Sequence, residues 1–319
     1  MTLRASALIL LASAAPAAAE AFLSLPVDCT LGQDCFIEDY HDAQPGPGQT
    51  DYTCGLKSRD NHRGTDFALP SFEAMEAGVD VLAAAAGTVE AARDGEPDIA
   101  LTPDRAAEIE GRECGNAVRI GHEDGYQTLY CHMKNGSLAV SAGDRVEAGD
   151  VLGQIGLSGE TNYPHLHLSL LKDGARVDPF APESTESCGA DGDTLWTDPP
   201  AYTPSGLFTA GFSIVVPSFE AVKSGTARRA TAAPGENLVL YAHAFHPEDG
   251  DVLEMSATGP AGEVFSTEIE LEDPQVQLFR AYGRRAPDSG WPAGDYRGTV
   301  TQMRGDTLIA VRHAEITVR

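Results

Sequence analysis

Past its first fifteen residues the chain has no apolar run long enough to cross a bilayer, no C-x-x-C pair, and few basic residues. Each absence excludes something. Without a later apolar stretch, nothing in the body of the chain reads as a transmembrane helix. Without C-x-x-C, the pattern argues against a cysteine-only zinc ribbon or a thioredoxin-like redox motif. With 22 Lys and Arg against 48 Asp and Glu, the formal net charge is −26. That balance opposes non-specific attraction to nucleic acid or to anionic membranes. The excess acid reads as a solubilising surface and says nothing about a specific substrate.

What the chain does have begins with a secretory signal. Arg4 precedes an apolar run from Ala5 to Ala15, and "PAAAEA" follows. Ala17 and Ala19 form a small-x-small site, so cleavage is expected after Ala19, with Ala21 as the second choice. Residues 1–19 are therefore read as a signal peptide, and the mature protein as exported, periplasmic or secreted. Six cysteines remain: Cys29, Cys35, Cys54, Cys114, Cys131 and Cys188. An even number in an oxidising destination favours disulfides. "NAVRIGH" and "YQTLYCH" flank the turn "EDG" as a hairpin, which brings Cys114 near Cys131. The short loop from Cys29 to Cys35 suggests a second pair. Sequence alone does not settle the connectivity.

The 319 residues suffice for two domains of ordinary size. Residues 20–60 read as an irregular lead-in, with "QPGPGQTDY" as a loop. From Val79 to Leu171 short strands alternate with glycine turns: "DVLAAAA", "TVEAAR", "AVRIGH", "QTLYCHM", "DVLGQIG" and "HLHLSLL". An antiparallel sheet or barrel-like core is expected over residues 61–181. One insertion, residues 93–113, carries a helix start, with Thr102 as N-cap and Pro103 in the first turn. It predicts a short helix from Pro103 to Ile109. Residues 182–206 are polar and proline-rich and read as a linker. Residues 207–319 hold a second strand series, opening with "GFSIVV" and "ENLVLYAHAF", and predict an immunoglobulin-like β-sandwich. The fold class is thus mainly β. His243, His246 and His313 of the second series are scattered singletons and read as surface or satisfied core residues.

Candidate metal ligands concentrate in the first series. A zinc site needs three or four N, O or S ligands converging from rigid elements, and a catalytic one keeps a position open for water. "NHRGTDFAL" supplies His62 and Asp66, four apart, with Gly64 between them to let the backbone bend. "LYCHM" supplies His132. "PHLHLSLL" supplies His165 and His167, which a strand directs to one face while Leu166 and Leu168 take the other. Each piece alone is weak; together, in one strand-rich region, they point to one site. His122 and Asn116 read as hairpin residues, Tyr130 as packing in the sheet, and His41 as a surface residue. "GLSGE" lacks the last glycine and the strand-to-helix context of a serine-nucleophile elbow.

These motifs resemble the lysostaphin/LytM-type zinc metallopeptidases, which cut peptides of bacterial cell wall. The signature H-x-x-x-D, a histidine after a tyrosine, and H-x-H corresponds to His62-Arg-Gly-Thr-Asp66, Tyr130-Cys-His132 and His165-Leu-His167. The connecting text keeps the same order over roughly residues 54–180. The resemblance implies that His62, Asp66 and His167 ligate one Zn2+ per chain, that His165 and His132 are the catalytic pair, and that zinc activates a water as the nucleophile. His165 is favoured as the base. The implied activity is hydrolysis of peptide bonds in peptidoglycan, in cross-links or stem peptides. Two other readings stand beside it: a non-catalytic LytM-type module that activates another cell-wall hydrolase, and a metallopeptidase of similar mechanism acting on an exported protein. Any protein partner of the second domain is unknown. Tyr163 stands where the family often has glycine, which predicts a narrower groove floor, and the 93–113 insertion is expected to wall the groove.

Overall fold

In the computed structural model, residues 20–184, 187–189 and 192–319 are described; the expected signal peptide lies outside the described residues. In chain order the first elements are β1 (Phe36–Asp39), β2 (Thr65–Ala68), α1 (Phe72–Ala77), β3 (Asp80–Leu82), β4 (Gly87–Arg93), α2 (Pro103–Ala106), β5 (Asn116–Gly121), β6 (Tyr126–Met133), β7 (Arg145–Val146), β8 (Val151–Gln154), β9 (His165–Lys172) and β10 (Ala175–Val177). The later ones are β11 (Gly206–Ser213), α3 (Phe219–Ser224), β12 (Thr231–Ala232), β13 (Leu238–Phe245), β14 (Val252–Gly259), β15 (Gly262–Glu270), β16 (Gln277–Arg284), β17 (Gly294–Arg304) and β18 (Thr307–Val318).

The first ten strands make an eight-stranded sheet, in the order β1-β2-β9-β6-β5-β4-β7 with β10 on β9, and a two-stranded β3-β8 sheet. All their pairings are antiparallel. Alternation decides which face is which. Along β9, Leu166, Leu168 and Leu170 are buried in the main core with Val118, Tyr130 and Trp196, while His165, His167 and Ser169 take the other face. Leu152 and Ile155, from β8 and the turn after it, close the same core.

Several local expectations change. The lead-in is not wholly irregular, because "FIED" forms edge strand β1 on β2. With four residues and a bulge between Ile37 and Asp39, it has no alternation that a sequence scan could register. The inserted helix stops at Ala106 instead of Ile109: Thr102 makes no side-chain cap, and Ile109 turns inward to burial at 4% exposure. A helix this short lacks the hydrogen bonds to propagate itself. Helix α1 carries readable signals, with Ser71 Oγ accepting from Ala74 N and Gly78 closing the end at φ 90°. Helix α3 repeats the scheme with Ser218 and Gly225.

The second series forms a three-stranded sheet, β11-β13-β16, facing a five-stranded one, β12-β18-β17-β14-β15. Leu207, Leu240 and Leu278 of the first sheet share a core with Met255, Val300 and Ile316 of the second, which makes a sandwich. The "GFSIVV" strand lies earlier than expected, ending at Ser213; Val215 and Val216 are exposed. Leu195 and Trp196, in the proline-rich stretch, are buried in the first core, and Trp196 bridges Leu23.

The two strand systems meet in an apolar cluster of Phe36, Ala68, Tyr163, Phe208 and Phe245. Each fully buried phenyl ring there contributes about 1.5–3 kcal/mol. Tyr163 lines a cavity beside His165, and its ring packs on Phe72, Phe208 and His243. Three disulfides add covalent ties. Cys29–Cys35 and Cys114–Cys131 are the expected pairs, and Cys54–Cys188 joins positions 134 residues apart.

Candidate metal centre

The site is built by strand register. On β2 and β9, Asp66 pairs with His167 and Ala68 with His165. Directly opposed residues share a face of the sheet, so the Asp66 carboxylate and both β9 imidazoles meet on one side. On β6, Cys131 is the residue opposite His167. Regular alternation would send His132 through to the other face. It does not, because His132 adopts φ 62°, a left-handed conformation few residues other than glycine take. The Cys114–Cys131 disulfide and the bond from His132 N to Cys114 O (2.9 Å) hold that turn.

Each imidazole has one nitrogen tied off. His62 Nδ1 donates to Tyr40 O at 2.6 Å, and His167 Nε2 donates to Ser169 Oγ at 2.9 Å. Ser169 in turn donates to Arg63 O, so its hydroxyl is left to accept. The remaining atoms converge: His62 Nε2 lies 3.2 Å from His167 Nδ1 and 3.0 Å from Asp66 Oδ2, and His167 Nδ1 lies 2.7 Å from Asp66 Oδ1. These three side chains offer ligand atoms within 4.8 Å of one another. Two imidazole nitrogens whose partners are spoken for, with one carboxylate, fit a zinc ion. Gly64 makes this possible in a way its position did not suggest. Its role is space more than bending, since a Cβ there would stand 2.4 Å from Leu168 O and 2.7 Å from the His167 ring.

The other two histidines are oriented likewise. His165 Nδ1 donates to Tyr163 O (2.9 Å), and His132 Nδ1 donates to Ser158 O (2.8 Å). Their rings lie 4.8 Å apart, and His165 Nε2 stands 3.6 Å from Asp66 Oδ2. All five residues named from the sequence are therefore brought to one place. Ser158, of the rejected elbow, has its hydroxyl spent on Met133 O.

Burial and charge set the titrations. Burial alone would raise the Asp66 carboxyl, but the His62, His165 and His167 charges and Arg59 hold it well below the usual range. For His62, burial is outweighed by the Asp66 charge and hydrogen bond, and its pKa rises. For His167 burial prevails and the pKa falls. Burial, then the charges of His165 and His167, push His132 well below the ordinary histidine value.

Other positions settle as follows. His122 bonds Ala86 O and Thr128 Oγ1, and Asn116 bridges Glu96 O and Met133 O; both are structural. Tyr130 is buried, its hydroxyl accepting from Ala84 N. His41 is not on the surface: it is 6% exposed, its Nδ1 has no partner, and burial lowers its pKa to about 4. A cavity of about 390 Å³ opens beside His165. Arg59 and Asn162 line one side, Leu101 of the insertion another, and Lys223 and Gln277 of the sandwich close it.

Sequence reasoning missed Arg59, whose Nη2 donates to Asp66 Oδ2, and Asp39, whose Oδ2 accepts from Arg59 Nε at 2.6 Å. It also passed over His246, which donates to Asp39 Oδ1 at 2.9 Å. No spacing rule connects these three, so no sequence signal would have found them.

Residues 60–179 match the family described as peptidase family M23. Over 104 residues the chain is 35% identical to the DD-carboxypeptidase/endopeptidase Mpg of Neisseria meningitidis, covering 30% of this chain and 23% of that protein. Over 118 residues it is 30% identical to the peptidoglycan DD-endopeptidase ShyC of Vibrio cholerae, covering 37% of this chain and 22% of that one. The chain thus spans about a quarter of the length of the curated relatives it matches. Among solved structures, the catalytic domain of lysostaphin from Staphylococcus simulans is similar at 21% identity and a TM-score of 0.28, covering 44% of this chain and 85% of that one.

Proposed function

The chain carries a peptidase M23 domain over residues 60–179, and from that premise we propose that it is an exported zinc-dependent endopeptidase that hydrolyses peptide bonds in bacterial peptidoglycan. The observation that carries the reading is the donor set: His62 Nε2, Asp66 and His167 Nδ1 converge while the outer ring nitrogens are tied to Tyr40 O and Ser169 Oγ. These three residues would hold the metal. Zinc, when bound, supplies a Lewis acid that makes water a nucleophile near neutral pH and polarises a peptide carbonyl. His165 takes the water's proton at Nε2, its ring held by Tyr163 O. His132 faces the substrate with Nε2, its Nδ1–H spent on Ser158 O. The proton that His165 takes from the water reaches the leaving amine by way of His132 Nε2, where burial and the neighbouring imidazoles disfavour its staying.

The likeness to proteins named as peptidoglycan DD-endopeptidase and DD-carboxypeptidase/endopeptidase supports the substrate class. The three disulfides support export. The test is the zinc content of the purified mature protein, measured beside release of soluble fragments from peptidoglycan with and without a chelator. About one zinc per chain and chelator-sensitive release is the expected result. Zinc without release, but with cleavage of unfolded protein, would move the substrate to exported proteins. No zinc and no release would overturn the enzyme reading in favour of a binding module.

A further inference from the structure

We infer that His246, Asp39 and Arg59 form a positioning relay through which the sandwich holds the metal-ligating carboxylate of Asp66. The inference rests on the proposed metal centre and concerns how that centre is aimed. Its starting point is the register of β1 on β2, where Asp39 lies directly opposite Asp66. Two carboxylates facing each other across neighbouring strands repel, and both are buried, at 1% exposure. Such a pair needs a cation between them. Arg59 is that cation, with Nε on Asp39 Oδ2 and Nη2 on Asp66 Oδ2.

The second anchor comes from the sandwich. Strand β13 ends at Phe245, and the next residue, His246, takes φ 43°, a conformation unfavourable to a residue with a Cβ. Its own N–H is fixed on Val276 O at 2.9 Å. That turn aims Nε2 across to Asp39 Oδ1, with the His246 side chain only 10% exposed. Beside it, Gln277 donates to Glu38, so two successive residues of β1 are held from the sandwich. Every link from His246 to Asp66 is thus a direct contact.

The consequence is electrostatic as well as geometric. While Asp39 shares the guanidinium, Arg59 orients Asp66 without bringing a full net charge to the metal. If Asp39 is neutralised, Arg59 keeps Asp66 as its sole carboxylate and competes with the metal for it. If His246 no longer holds Asp39, the same release occurs to a smaller extent.

The experiment compares full-length wild type with Asp39→Asn, His246→Leu and His246→Gln. Zinc affinity is measured by competition with a chelator, and ligand geometry by the visible spectrum of the cobalt-substituted protein. Partners of metal ligands typically contribute about 10–100-fold in affinity. Asp39→Asn is expected to lose that much, and His246→Leu about 10-fold with an altered cobalt spectrum. His246→Gln, which retains an amide donor, should return both near wild type. That rescue separates the relay from a merely structural contact, since both His246 variants remove the imidazole. Wild-type affinity and spectrum in His246→Leu, tighter binding in Asp39→Asn, or equal loss in His246→Leu and His246→Gln would each overturn the relay alone. A wild-type protein that takes up no zinc would instead overturn the metal centre, and the relay with it.

Discussion

Strands β9 and β13 invite comparison. Each lies inside its sheet with antiparallel partners on both sides, and each carries histidine. On β9 the neighbours bring Asp66 opposite His167 and Cys131 opposite it on the other side. On β13, His243 faces Thr209 and Phe279 and lies among the rings of Tyr163, Phe208 and Phe219. One setting gathers ionisable groups; the other surrounds the imidazole with aromatic rings. Burial then acts in opposite company. It lowers the His243 pKa to about 3, with the Gln277 hydrogen bond opposing only in part. It also prevails at His167 on β9, against the charge and hydrogen bond of Asp66; at His62, in the loop before β2, Asp66 overrides it. The chemistry of a histidine on a strand is decided by what the adjacent strands carry across from it.

The largest expected effect lies on β9 itself. His167→Ala should lose zinc outright, whereas His165→Ala should keep most of the zinc and lose turnover by about 10²–10⁴-fold. Metal analysis beside activity tests this, and equal metal loss in both variants would reverse the role assignment. Gly64→Ala comes next. The added methyl would press on the His167 ring and Leu168 O, so zinc affinity should fall by about 10–100-fold; unchanged affinity would show that the strand gives way at no cost.

Between the two systems, Phe208→Ala should remove about 3–5 kcal/mol from unfolding stability, because the ring is 1% exposed and packs on Phe36, Phe245 and Tyr163. Chemical denaturation would read it, and a loss under about 1 kcal/mol would mean the interface repacks freely.

The smallest effect sharpens the contrast on β13. His243 is neutral when folded and protonates more easily when unfolded, so its stability contribution is full above the unfolded pKa of 6.5 and is lost as pH falls towards about 3. His243→Leu should therefore leave zinc uptake intact and reduce the drop in melting temperature between pH 7 and pH 4.5. An equal drop in wild type and variant would contradict it.

Much of the site was legible because it rests on local order. H-x-H on a strand puts both imidazoles on one face whatever the fold, and His62 to Asp66 spans a single turn into β2. The disulfides Cys29–Cys35 and Cys114–Cys131 were readable because a loop and a hairpin bring them close. Cys54–Cys188 was not, being 134 residues apart. Strand β1 escaped notice because four consecutive buried residues, "FIED", show neither alternation nor a helical period. Helices α1 and α3 were overlooked although Ser71 with Gly78, and Ser218 with Gly225, mark their ends. Short helices give too few apolar repeats to stand out against strands.

The residues by themselves determined which chemistry was available: five donors of the right kind, at spacings that strand geometry converts into shared faces. Tertiary structure alone decided how they are held. The left-handed turn of His132, the close approach of Gly64 to His167, and the contacts from His246 through Asp39 and Arg59 to Asp66 join positions as far as 207 residues apart. Periodicity records only which face a side chain takes on its own strand. Which groups then stand opposite depends on sheet order and on the packing of two cores, and those are properties of the whole chain.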